Sequence, residues 1–128
     1  MEPLSILLWV KIVGTLFPVA LPLILLPASK IEQLSGFKAS DPALYRLYGV
    51  AILALLVGYL GGYFQVLDGH FPTGVLAMGF VSNFGAFLTL ILTGRAKKAP
   101  IEPVFFGLIA AGLAASFFAR DFAMTPLW

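Results

Sequence analysis

The sequence predicts an all-α polytopic membrane protein, a single integral membrane domain built as a four-transmembrane-helix bundle. The 128-residue chain is 60% hydrophobic and 11% charged, and its mean hydropathy is +0.99, whereas soluble domains carry about 25% charged residues. Its apolar residues gather in four runs of roughly 20 residues, the length that a helix needs to cross a bilayer. The connections after the first and third runs hold most of the lysines and arginines, an arrangement typical of polytopic proteins.

The first two predicted spans cover about residues 4–26 and 44–66. The first exceeds the apolar length of a signal peptide and opens on Glu2 instead of a basic segment, so we expect it to be a span. Pro18 and Pro22 each lack an amide hydrogen, which predicts a kink unless neighbouring helices compensate.

The connection between these spans predicts a short interfacial helix. Its apolar residues recur at three-residue spacing, Ser29 and Glu32 fit a capping box if the cap lies at Ser29, and Gly36 would end the helix. Asp41 followed by Pro42 predicts an N-cap and first position for the second span.

The last two predicted spans cover about residues 72–92 and 103–124. The fourth apolar run is uncharged for only about 16 residues, which is short for a bilayer. We therefore expect this helix to continue through Met124, with Arg120 and Asp121 at the interface.

Polar and aromatic residues within the spans are candidate ligand-binding residues: Lys11, Arg46, Tyr59, Tyr63, Gln65 and Asn83. Each has a structural alternative. Lys11 can reach the interface or pair with another helix, the tyrosines suit interfacial aromatic belts, and Asn83 can form an interhelical hydrogen bond. A ligand pathway would require several of these groups to converge on one cavity.

Small residues predict two helix-packing faces, because they let neighbouring backbones approach closely. Gly58 and Gly62 form a GxxxG pair in the second span. The fourth span carries a second face, formed by Gly107, Ala111, Gly112 and Ala115. We expect the fourth span to offer its face to a partner.

The sequence offers no set of residues for catalysis. It has no cysteine, and its one histidine, His70, lies two residues from Asp68 in a short turn; two such ligands do not make a metal site. No phosphate-binding loop and no pair of buried carboxylates is present. We therefore expect neither enzymatic activity nor a cofactor or metal.

Charge sets the expected orientation and the expected partners. The second connection carries no lysine or arginine. The first and third carry three each when Arg46 at the start of the second span is counted with the first: Lys30, Lys38 and Arg46, and Arg95, Lys97 and Lys98. The positive-inside rule then places the first and third connections in the cytoplasm and both termini outside, and we expect a bacterial inner membrane. With a net charge of +2, we expect partners to be membrane lipids and another membrane protein or a second copy, not nucleic acid.

The run RLYGVAILALLVGY, from Arg46 to Tyr59, resembles the opening of the second helix in DoxX-like small membrane proteins. That resemblance implies a four-helix bundle that acts as an accessory subunit or binds a hydrophobic ligand, with Arg46 as the corresponding position. We therefore expect a non-catalytic accessory or assembly subunit, or a binder of a lipid-like molecule.

The run FPTGV, from Phe71 to Val75, together with the chain length and span number, is similar to small multidrug-resistance transporters. This resemblance implies a small transporter that works as a dimer. Those transporters use a glutamate in their first helix for proton exchange, whereas the first span here holds Lys11 and no acid. The transporter is therefore the alternative function.

Overall fold

The computed structural model describes residues 1–128, and the chain forms helices and connections without strands. Four helices are long and apolar enough to cross a membrane: α1 (Pro3–Leu25), α3 (Ala43–Leu67), α4 (Thr73–Leu92) and α5 (Ile101–Phe118). Two short helices complete the fold: α2 (Ala28–Ser35) and α6 (Arg120–Met124). The predicted all-α class with four membrane-spanning helices is thus confirmed, and the fold fits an integral membrane protein.

The first span accommodates its prolines by widening its helix. Leu16–Ala20 is π-helical, and the amide of Leu21 donates to the carbonyl of Leu16, five residues earlier. Pro18 lies in this segment and has no amide hydrogen to offer an α-helical partner. A π-helical turn in mid-helix is one of the known causes of a helix kink, so the expected irregularity takes this form.

The predicted short helix is present, although its start differs from the capping-box interpretation. It begins at Ala28 after Pro27, and no side chain caps it. The condition for a cap at Ser29 is therefore not met. Its end is as predicted, because Gly36 adopts the left-handed conformation with φ of 74°.

The cap of the second span agrees with the sequence. The amide of Ala43 donates to Asp41 Oδ1 at 2.9 Å, and α3 begins directly after Pro42. A carboxylate at this position accepts one of the amide hydrogens that a helix start leaves free.

The fourth span is shorter than predicted. It ends at Phe118 and does not continue through Met124, because Ala119 leaves the helical conformation with φ of −122° and ψ of 53°. Past this break, the guanidinium of Arg120 lies 4.6 Å from the centre of the Phe71 ring in the second connection. This contact gives the charge a partner at the end of the bundle.

The core lies where the four spans meet. Each span contributes large side chains that are almost completely buried, among them Leu8, Leu56, Tyr59, Leu76 and Leu113. Many apolar residues on the outer faces of the same helices are exposed, for example Val57, Val81 and Leu108. This distribution is the one that a bundle surrounded by lipid requires.

The two basic connections meet at one end of the bundle. Arg95, which follows the third span, donates a hydrogen bond to the carbonyl of Ser35 in α2. The first and third connections therefore lie on the same side of the bundle, as their shared charge predicts.

Candidate functional site

The most buried polar contact joins the second and third spans. Asn83 Nδ2 donates to Tyr59 Oη at 2.9 Å and to the carbonyl of Gly79 at 2.7 Å. Tyr59 is 0% exposed and Asn83 is 1% exposed. The hydrogen bond expected for Asn83 is therefore present, while Asn83 Oδ1 is buried without a partner in the chain.

Gly79 makes this contact possible, and the sequence analysis missed it. A Cβ at this position would lie 2.7 Å from Tyr59 Oη and 2.8 Å from Leu113 Cδ1. Gly79 precedes Asn83 by four residues and therefore shares its helix face. That spacing is the signal that could have identified it.

Lys11 lies inside the bundle, beside the fourth span. Its Nζ is 4.9 Å from the centre of the Phe106 ring and 5.4 Å from that of Phe105, and the residue is only 6% exposed. One turn later, the buried hydroxyl of Thr15 has no hydrogen-bond partner. The partners of Lys11 are thus aromatic rings of another helix, a recognised setting for a desolvated ammonium group.

Arg46 ties the start of the second span to the end of the first. Its Nη1 donates to the carbonyl of Leu23 at 2.7 Å. The amide four residues after Leu23 would belong to Pro27, which has no hydrogen to donate. Arg46 therefore supplies the partner that this carbonyl lacks.

The side chains of Tyr63 and Gln65 form no hydrogen bond with the buried Tyr59–Asn83 pair. Tyr63 packs against Trp9 with ring centres 5.3 Å apart and an interplanar angle of 69°, and Gln65 is exposed. The candidate ligand-binding residues are thus distributed over separate contacts instead of one shared cavity.

The GxxxG pair of the second span is used within the chain. A Cβ at Gly62 would lie 2.9 Å from Val75 Cγ1, and one at Gly58 would lie 3.3 Å from Met78 Cε. These glycines therefore let α3 and α4 approach each other, which is the role that the spacing predicts.

The small residues of the fourth span divide between two faces. A Cβ at Gly107 would lie 3.1 Å from the Phe87 ring, and one at Gly112 would lie 3.0 Å from Leu7. These two glycines pack inside the bundle and are not free to meet a partner. Ala111 and Ala115 instead face outward and are exposed.

A second polar cluster lies at the basic end. Tyr45 Oη donates to Glu32 Oε1 at 3.1 Å and accepts from the amide of Ala39 at 2.7 Å. Arg95 lies 4.1 Å from the centre of the Phe37 ring and forms a salt bridge of 3.9 Å with Glu102. These contacts attach α2 to the spans, and the sequence analysis did not identify them.

The single histidine lies at the opposite end of the bundle, in the second connection. Asp68 and His70 are exposed, and the chain contains no group of three or more potential metal ligands.

At the same end, Ser5 Oγ donates to Glu2 Oε2 at 2.7 Å. This hydrogen bond favours the charged carboxylate and so lowers the pKa of Glu2 below its ordinary value.

Fold and site together define the chain as a helical bundle of the membrane-protein class. The hydrogen bond between Tyr59 and Asn83 is buried inside the bundle, and the two basic connections meet at one end. Comparison with protein-family models, curated proteins and solved structures gives no match.

Proposed function

We propose that this protein is a non-catalytic accessory or assembly subunit that packs the outer face of its fourth span against another membrane helix. The observation that carries this proposal is the exposure of Ala111 and Ala115 on that face. Small side chains let two helices approach closely in lipid, where packing and not the hydrophobic effect drives association.

The interior of the bundle supports the same role. Tyr59 and Asn83 are hydrogen-bonded to each other, and Arg46 is bonded to the backbone of the first span. Polar groups engaged in this way maintain the bundle instead of lining a pathway. An accessory role also agrees with the resemblance to DoxX-like proteins at Arg46.

The test compares two substitutions on outward faces. Ala111→Leu adds bulk to the proposed contact, and Val81→Leu adds bulk to the exposed face of the third span. Each variant is co-expressed with a differently tagged wild-type copy and purified in mild detergent, and both the second copy and co-purifying membrane proteins are quantified. We expect Ala111→Leu to reduce association at least about fivefold, because overpacking a close contact costs about 1–3 kcal/mol.

Val81→Leu should retain the wild-type level of association. Equal association of the two variants would contradict the proposal. A partner lost from Ala111→Leu but retained by Val81→Leu would be identified by mass spectrometry, and loss of the tagged copy would identify the partner as a second copy of this chain.

We further propose a bacterial inner membrane as the location, with the basic connections in the cytoplasm and both termini outside. The support is the charge distribution: three lysines or arginines lie in each basic connection or in the first turn of the span that follows it, and none lies in the turn between the second and third spans.

A small transporter that works as a dimer is a second candidate function, and Lys11 is the observation that favours it. A buried ammonium group beside two aromatic rings suits a lipophilic anion. Proteoliposomes should then release a lipophilic anionic dye faster than protein-free vesicles, and Lys11→Gln should abolish the difference. Equal release with and without the protein would rule this function out for such dyes.

A further inference from the structure

A cavity of about 540 Å³ opens at the basic end, between α2 and the connection that leads into the fourth span. This volume falls in the range of about 300–1,000 Å³ that is typical of small-ligand sites. Its polar lining includes Gln33, Arg95, Lys98 and Glu102, and its apolar lining includes Leu34 and Ile101. The cavity therefore presents a charged part and an apolar part to the same occupant.

The charged part carries excess positive charge. Arg95 forms a salt bridge with Glu102, whereas Lys98 is exposed and forms none. The two connections at this end, together with the first turns of the spans that follow them, hold six basic and three acidic residues. An anion that enters the cavity consequently meets an attractive field.

Arg95 brings a guanidinium side chain to the lining of the cavity, and this side chain is 15% exposed. Its Nη2 donates to the carbonyl of Ser35, the only side-chain hydrogen bond that Arg95 makes within the chain. Guanidinium groups are well suited to phosphate oxygens, with which they form charge-assisted hydrogen bonds.

The apolar part of the cavity indicates what else the ligand carries. Leu34 is 67% exposed and Ile101 is 75% exposed, and Ile101 begins a span whose outer face is apolar. A ligand with a phosphate group and hydrocarbon chains would place the phosphate near Arg95 and Lys98 and its chains along this surface. Free phosphate would leave the apolar lining exposed.

We propose that this cavity binds the phosphate of an anionic phospholipid and that Lys98 provides its main uncompensated charge. The site is separate from the outer face of Ala111 and Ala115 and does not depend on the function proposed for that face. It would hold a lipid at the connection that joins α2 to the spans.

The test uses two neighbouring lysines that differ in one respect. Lys98 lines the cavity, whereas Lys97 is also exposed but lies outside its lining. The purified full chain is mixed in detergent with equal amounts of phosphatidylglycerol and phosphatidylcholine that carry the same acyl chains. Native mass spectrometry then measures the ratio of the two bound lipids for the wild type, Lys98→Gln and Lys97→Gln.

The wild type should prefer phosphatidylglycerol. Lys98→Gln should reduce this preference about fivefold, the effect of one basic residue on an anionic lipid, and Lys97→Gln should leave it within about twofold. Thermal unfolding of each variant verifies that the fold is intact. Because Lys98 makes no salt bridge, we expect both variants to unfold at the wild-type temperature.

Two outcomes would overturn the proposal. Equal losses in the two variants would mean that anionic lipid is attracted by diffuse charge and not by this cavity. Displacement of phosphatidylglycerol by an equal concentration of glycerol 3-phosphate would identify a soluble phosphate as the ligand. Failure of glycerol 3-phosphate to compete, together with the specific loss in Lys98→Gln, supports a lipid as the ligand.

Discussion

Buried polar side chains in this bundle differ in whether the chain supplies their partners. Asn83 Nδ2 has Tyr59 and the Gly79 carbonyl as hydrogen-bond partners, whereas Asn83 Oδ1 and the hydroxyl of Thr15 have none and Lys11 has only aromatic rings. An unpaired polar group in hydrocarbon is costly. The Tyr59–Asn83 hydrogen bond therefore stabilises the fold, and the Lys11 region contributes no such hydrogen bond.

We predict that Tyr59→Phe destabilises the bundle by about 1 kcal/mol, the usual contribution of one such hydrogen bond. The loss stays small because Asn83 Nδ2 keeps the Gly79 carbonyl as an acceptor. Unfolding in mixed micelles of increasing sodium dodecyl sulfate content gives the free energy.

Tyr63→Phe is the matched control for this prediction, because the ring of Tyr63 packs on Trp9 and its hydroxyl forms no hydrogen bond within the chain. The control should unfold at the wild-type detergent composition. If Tyr59→Phe does so as well, the Tyr59 hydrogen bond contributes nothing to the stability of the bundle.

At the scale of elements, Gly79 determines how closely three spans approach. Gly79 lies in the third span. The second span contacts it through Tyr59, and the fourth span contacts it through Leu113. Because interiors are close-packed, a methyl group added there has to displace one of these neighbours.

We predict that Gly79→Ala lowers the free energy of unfolding by about 1–3 kcal/mol, the cost of overpacking a tight site. Gly85→Ala lies in the same helix, and a Cβ there meets nothing within 4 Å. This control should be neutral or stabilising by up to about 1 kcal/mol, because alanine is the better helix former. Equal stability of the two variants would mean that α4 is less closely packed than the structure indicates.

The attachment of α2 gives a second prediction at this scale. Gly36→Ala should loosen α2, because its φ of 74° is unfavourable for alanine and its Cβ would lie 3.1 Å from Arg95 Nη1. Gly94→Ala has the same conformational penalty at φ of 76°, but its Cβ would have no neighbouring atom within 4 Å. Hydrogen exchange of the α2 amides should therefore be faster in Gly36→Ala than in Gly94→Ala. The same rate in both variants would mean that neither the left-handed C-cap at Gly36 nor its contact with Arg95 holds α2 in place.

At the scale of the molecule, hydropathy alone predicted four long apolar helices and the bounds of the first three to within one residue, because crossing a bilayer requires long apolar helices. The end of the fourth helix was predicted six residues too late. The outward and inward faces of the fourth span could not be predicted in this way. Gly112 and Ala111 are adjacent and both small, and the contact with Leu7 shows that Gly112 packs inside. The end of that helix at Ala119 likewise involves Arg120 and Phe71, residues far apart in the sequence.

The orientation of the whole bundle gives the last prediction. Since the chain has no cysteine, single substitutions Ser40→Cys, Ala96→Cys and His70→Cys introduce unique thiols without changing the number of lysines or arginines. In intact bacterial cells, a membrane-impermeant maleimide should label position 70, and it should label positions 40 and 96 only after permeabilisation. Positions 40 and 96 should behave alike, because Arg95 contacts Ser35 across the two connections, and basic connections favour the cytoplasm. Labelling of these two positions from opposite sides would contradict the four-span fold, whereas labelling of both from outside would reverse the orientation and leave the fold intact.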